Sequence, residues 1–214
     1  MDAIVQDLNI EGLMALDREL QVKKGNEFGY AGIWLFTGAQ GSGKTLLLMH
    51  TLRQMMMEFP EAIVVSNISI YGVPSYVYKG IEDFEKYNNG AKGTIFVIDE
   101  IHTLFSSVQS ENMPESTLTV WSQNRKNRRV ILGTSQRFTR VAKGIREQTT
   151  YNYECTRPIF NRLYSYRIKE GDQYDDTGKY IGEETQRFWY IPKVSVMRMY
   201  NTLEVVTKPT EGGK

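Results

Sequence analysis

Residues 38–45 read GAQGSGKT and sit between the apolar run AGIWLFT and the segment LLLMHTLRQMMM. A glycine-rich turn that opens a helix leaves backbone N–H groups unpaired at the positive end of the helix dipole, a setting suited to phosphate. The spacing is G-x-x-x-x-G-K-[ST], with Gly38, Gly43, Lys44 and Thr45 at the required positions. In such a loop the glycines permit positive φ and close approach. The stretch Gly38, Ala39, Gln40, Gly41, Ser42, Gly43, Lys44, Thr45 and Leu46 cradles the phosphate oxygens, the Lys44 ammonium reaches the outer phosphates, and the Thr45 hydroxyl ligates magnesium. ATP with Mg2+ is the expected ligand.

A phosphate loop needs a second metal anchor at the end of a neighbouring strand. TIFVIDE at 94–100 is an apolar run ending in two carboxylates, so Asp99 is the candidate metal residue. Glu100, one residue further on, suits a general base for the attacking water; the alternative is an ordinary strand end with two exposed acids. RVILGTSQ at 129–136 places Gln136 at another strand tip, where its amide either contacts the water or the γ-phosphate as a sensor, or simply caps. Arg125, eleven residues earlier, is placed to project from the domain edge and stabilise transition-state charge on a neighbouring subunit, with Arg128 and Arg129 as rivals. His102 reads as a packing or hydrogen-bonding residue, His50 has no evident partner, and no cluster suits a structural metal.

These residues require a strand–loop–helix unit, and the sequence supplies one: a strand AGIWLFT, the glycine turn, and a helix from Lys44 to Glu58 closed by Pro60. AIVVSNISI predicts a second strand, YGVPSY a turn, GIEDFEKYNN a short helix and TIFVIDE a buried strand of the parallel kind. After the polar loop 106–116, STLTVWSQNRKN and FTRVAKGIREQ read as helices on either side of the strand RVILGTSQ, and YNYECTRP as a short strand. Alternating strands and helices predict an α/β fold with a mostly parallel central sheet flanked by helices. From 161 to 192 two aromatic-rich strands joined by a polar turn predict a C-terminal β-hairpin. The expected division is a lead-in over 1–29, a core over 30–160 and the hairpin with its tail over 161–214. Met55, Met56 and Met57 read as core filling.

Composition narrows the class. With 214 residues, 41% of them hydrophobic, one sizeable core can form. No apolar run approaches the roughly 20 residues of a bilayer span, so no membrane span is expected. The N-terminus lacks the parts of a secretory signal, and a single cysteine, Cys155, forms no internal disulfide; both point to the cytosol. Net charge is only +1, yet residues 116–146 contain no acid and eight bases, which either line an interface or channel, or point in different directions as an ordinary solvated block.

The succession GAQGSGKT, TIFVIDE, WSQNRKNRRVILGTSQRFTRVAKGIREQ and YNYECTR resembles the HerA/FtsK group of DNA-pumping P-loop ATPases over residues 30–160. More closely, it resembles the branch holding the zonula occludens toxin-like proteins of filamentous phages and the packaging ATPases of tailless icosahedral viruses. FWYIPKVSVMRMYNTLE is also similar to the segment that succeeds the core in the toxin-like proteins. The resemblance implies a RecA-like core in a homo-oligomeric ring, a hexamer, around double-stranded DNA, with Glu100 as base, Gln136 as sensor and Arg125 as finger in trans. The phage-assembly relatives carry a membrane helix after the core, whereas this chain ends at GGK. The expectation is therefore a viral genome packaging motor in the host cytoplasm or the virion, docking on capsid vertex proteins. Filamentous-phage extrusion, a small-molecule kinase and a weakly hydrolysing assembly module are the competing readings.

Overall fold

The computed structural model describes residues 27–104, 123–160 and 162–201. Residues 1–26 of the lead-in, the loop 106–116, residues 116–122 of the helix expected over 116–127 and the tail from 202 lie outside the described residues. One sheet of eight strands organises the molecule: β1 (Gly32–Thr37), β2 (Ile63–Ser66), β3 (Ser75–Val77), β4 (Thr94–Ile98), β5 (Arg129–Ser135), β6 (Thr149–Ile159), β7 (Leu163–Glu170) and β8 (Arg187–Tyr190). Their spatial order is β3-β2-β4-β5-β1-β6-β7-β8. The six strands β3 to β6 in that order are parallel, and β7 and β8 add antiparallel to the β6 edge. The predicted hairpin is thus a continuation of the central sheet, and the fold is RecA-like, mostly parallel, with few helices.

The pleat sorts each strand's apolar residues onto two faces. Phe36, Val64, Ile95, Val97, Val130 and Leu132 point to the face covered by α1 (Lys44–Glu58), whose Leu46, Leu48, Met49, Leu52 and Met55 are buried there. Ile33, Leu35, Val65, Phe96, Ile98 and Ile131 point to the opposite face, under Ile101, Phe138, Val141 and Ile145. Both faces are therefore dry, which is why β4 and β5 read as continuous apolar runs. Helix α1 has the predicted bounds; Phe59 leaves helical geometry because the following Pro60 disfavours it. Met55 is buried and Met56 packs on the core, but Met57 is exposed.

Several expected elements differ. YGVPSY does not only turn: Ser75–Val77 forms the exposed edge strand β3, paired to β2. GIEDFEKYNN yields the single turn α2 (Asp83–Lys86). FTRVAKGIREQ is no continuous helix but a 3-10 turn, Phe138–Arg140, followed by α3 (Lys143–Arg146), since Val141 and Ala142 stay extended or nearly so to fill the second core. Residues 123–127 of the helix expected over 116–127 are turns. The short strand YNYECTRP becomes the eleven-residue β6, prolonged by pairing with β7. A last turn, α4 (Val194–Met197), packs on α1 through Val196. Among the described residues no helix is long and apolar enough to cross a membrane.

Candidate functional site

The loop 38–43 lies at the C-terminal end of β1. Two of its glycines are there for space as well as conformation. A Cβ on Gly38 would collide with the carbonyl of Cys155 in β6, and one on Gly43, at φ 85°, would lie 2.5 Å from the ring of Tyr164 in β7. The loop is thus clamped from behind by the antiparallel extension of the sheet. Gly43 is the N-cap of α1, with no side-chain cap and no acid in the first turn. The first amides of α1 have no intrahelical partner, so the positive end of the helix is left for an anion. Ser42 Oγ is buried in the loop without a hydrogen-bond partner among the described residues, and Lys44 Nζ folds back to donate to Ala39 O at 3.1 Å.

Asp99, at the end of β4, is the most heavily positioned side chain of the site. Its Oδ1 accepts from Thr45 Oγ1 at 3.1 Å and from Thr134 Oγ1 of β5 at 2.8 Å. Its backbone is held on both sides by Asn67, which accepts from Asp99 N at 2.8 Å and donates to Asp99 O at 2.9 Å. A hydroxyl and a carboxylate oxygen in contact, opening on a helix N-terminus, form a hard-oxygen donor set that fits magnesium shared with a phosphate. Glu100 follows with a left-handed backbone, φ 53°, and its amide donates to Thr134 Oγ1 at 2.8 Å. That conformation turns its carboxylate out of the strand, where His102 Nε2 meets Oε2 at 3.2 Å. The other ring nitrogen of His102 lies 3.2 Å from Ser135 Oγ. Burial holds the His102 pKa below 6.5, opposed by Glu100 and reinforced by Arg140 and Lys44.

A cleft of about 370 Å³ joins Gln40, Gly41, Gly43, Lys44, Thr45, Asp99 and Glu100 to Ile68, Tyr200 and Asn201. That volume lies within the range of small-ligand sites. Asn67, Thr134, Ile68, Tyr164, Tyr200 and Asn201 escaped the sequence reading. Asn67 and Thr134 had a usable signal, a polar residue at or next to the end of an apolar strand beside the one bearing Asp99. The two from the C-terminal segment had none. His50, without an evident partner in sequence, lies against the Tyr190 ring, with centroids 6.1 Å apart.

The remaining candidates lie apart from this cleft. Strand β5 is inserted between β1 and β4, so Gln136 stands at the same edge of the sheet as the phosphate loop. Its amide accepts from Arg140 Nη1 at 2.7 Å and lines a second cavity with Thr37, Gly38, Asn152 and Lys169. Arg125 is exposed before β5 and has no side-chain partner among the described residues. It sits at the opposite edge, about 20 Å from the loop across the seven residues of β5. Arg128 pairs with Glu27, and Arg129 is buried, donating to Asn124 Oδ1 at 2.7 Å and to Phe84 O. Burial pulls the Arg129 guanidinium down to about 10.

The sequence profile of the ATPase family associated with various cellular activities (AAA) matches residues 34–156. No curated protein sequence matches the chain significantly. The N-terminal domain of zonular occludens toxin from Neisseria meningitidis is similar in structure, with a TM-score of 0.59 at 15% identity, over 80% of this chain and 99% of that one. The genome packaging NTPase of Sulfolobus turreted icosahedral virus 2, in complex with ATP-gammaS, has a TM-score of 0.52 at 14% identity, over 76% and 98%. At these identities the likenesses show the fold. The profile spans more than half of the chain, from inside β1 to inside β6, and takes in the phosphate loop, the Asp99-Glu100 strand end and the inserted β5. The chain belongs to the AAA family of P-loop ATPases.

Proposed function

We propose that this ATPase is a translocase of double-stranded DNA, a viral genome packaging motor that works as a homo-oligomeric ring of six in the host cytoplasm and docks on a capsid vertex. The observation that supports the reading is the placement of the candidate residues at two edges of one sheet. Phosphate loop, Asp99 and Glu100 share the C-terminal edge, while Arg125, without a side-chain partner among the described residues, stands at the other, out of reach of its own phosphate loop. A catalytic arginine so placed serves only the next subunit of a ring.

Thr45 and Asp99 are the residues that would hold magnesium, which when bound neutralises charge on the phosphoryl oxygens. Lys44, released from Ala39 O, binds the outer phosphates. Glu100 orients the attacking water and takes its proton. Gln136, one strand over, follows the position of the γ-phosphate and passes it to the segment 137–148 through Arg140. Hydrolysis by the purified protein is expected to rise on adding duplex DNA at low salt, and the rise to fade steeply as salt increases. A turnover indifferent to DNA at low salt overturns the proposal.

A further inference from the structure

The hairpin joining β6 to β7 stands out from the rest of the surface. Thr37, the last residue of β1, is paired with Glu154, and β6 runs five residues further, to Ile159. The hairpin therefore projects about 16 Å past the edge that carries the phosphate loop. At its tip Phe160 is 93% exposed and has a left-handed backbone, φ 52°, a conformation uncommon for an aromatic residue. Ile159 beside it is 43% exposed. A water-facing surface gains nothing by holding a phenyl ring in solvent at a strained position.

The charges around the ring specify what it meets. From residue 155 to residue 169 the chain has no acid, and its bases are Arg157, Arg162, Arg167 and Lys169. Arg167 is neutralised by Glu184 and Lys169 by Glu154, both down the stem. Arg157 and Arg162, flanking the tip, are exposed and have no side-chain partner among the described residues. An exposed aromatic ring between two unpaired guanidinium groups matches a polyanion that offers stacked flat surfaces: phosphates for the arginines, base steps for the ring. A protein partner would call for an apolar surround, and the stem offers arginines.

The same hairpin touches the catalytic loop. Tyr164, four residues after Phe160, packs its ring against Gly43, and the Cys155 carbonyl backs Gly38. We propose that the β6–β7 tip is the DNA-contacting element of this motor, with Arg157 and Arg162 on backbone phosphates and Phe160 against the bases. Contact at the tip is transmitted down β7, through Tyr164, to the phosphate loop. The assignment rests on the translocase reading and adds the surface that engages the duplex.

The test compares the full chain with Phe160→Ala, Phe160→Trp and the double variant Arg157→Ala/Arg162→Ala. Duplex DNA binding is measured across a salt series, together with hydrolysis with and without DNA, ring assembly and thermal melting. Basal hydrolysis and melting are expected to stay unchanged, because none of the three side chains touches the cleft. Phe160→Ala is expected to weaken DNA binding about tenfold with an unaltered salt slope, and Phe160→Trp to restore it. The double arginine variant is expected to lower the salt slope by about two and to abolish stimulation by DNA. Should the parent protein bind and respond to DNA while the variants do so equally well, the tip assignment falls and the motor reading stands. Loss of ring assembly in the variants, with DNA binding lost only as a consequence, also overturns it in favour of a subunit contact. If the parent itself ignores DNA, both fall.

Discussion

Glu100 and His102 form a pair whose proton count can be followed through the hydrogen bonds. The Ser135 hydroxyl donates to Arg137 O at 2.9 Å, so toward His102 it acts as an acceptor, and Nδ1 carries the proton. A neutral ring then turns its Nε2 lone pair toward the Glu100 carboxylate, whereas an imidazolium donates to it. Burial favours the neutral ring, and in the proposed mechanism Glu100 then accepts a proton from the attacking water. Glu100→Gln keeps the shape and removes the base; hydrolysis should fall by about 10²–10⁴-fold while ATP binding persists, measured by single-turnover assay and by a fluorescent nucleotide. The His102 shift also has a sign for stability. Its folded pKa lies below 6.5, so the unfolded chain binds the proton more readily, and the stability this group contributes is present above that value and lost as pH falls through the folded pKa. Melting curves between neutral and mildly acidic pH should show this decline, and His102→Gln should flatten it. An identical acid limb in the variant rules out His102 as its source.

At the scale of elements, the clamp on the phosphate loop makes a sharp demand on Gly43. Alanine there meets the Tyr164 ring and must hold φ near 85°, so Gly43→Ala should lose most nucleotide affinity while the sheet, read by circular dichroism, survives. Wherever local chemistry dictates structure, the sequence was legible: the strand, the glycine turn and α1 with its proline stop are set by residues adjacent in the chain. It was not legible where pairing partners decide. YGVPSY has no alternation of its own and becomes β3 only because β2 offers a free edge. The reach of β6 depends on β7. The basic block shows the same limit: Arg129 is a buried cation held by Asn124 and Phe84, Arg128 answers Glu27, Lys143 answers Glu147 and Asp176, and Arg146 Nε donates to Val141 O. Charge in sequence did not reveal which of these bases face inward. Arg129→Leu strands two buried acceptors and should destabilise the fold by about 2–4 kcal/mol, read as a lower urea midpoint.

For the whole molecule the proposed trans-acting arginine has a geometric consequence: if Arg125 is the catalytic cation, one chain does not complete its own site. Arg125 and the phosphate loop occupy opposite edges of one rigid sheet, and no side-chain motion brings an arginine across about 20 Å. Two inactive variants should therefore rescue each other. In a chain with Arg125→Ala the carboxylates are intact and the donated cation is missing; in a chain with Glu100→Gln the cation is intact and the base is missing. Where a subunit of the first kind meets the arginine edge of the second, one complete site forms. Random assembly from equal amounts makes such junctions about a quarter of the total, so the mixture should recover up to roughly that fraction of parental turnover from two nearly silent preparations. Each variant must first be shown to assemble alone, and subunits must exchange before the assay. Recovery in the mixture with none in the separate samples requires a cation delivered across a subunit boundary. A mixture no more active than its parts, from subunits proven to have exchanged, removes Arg125 from the site.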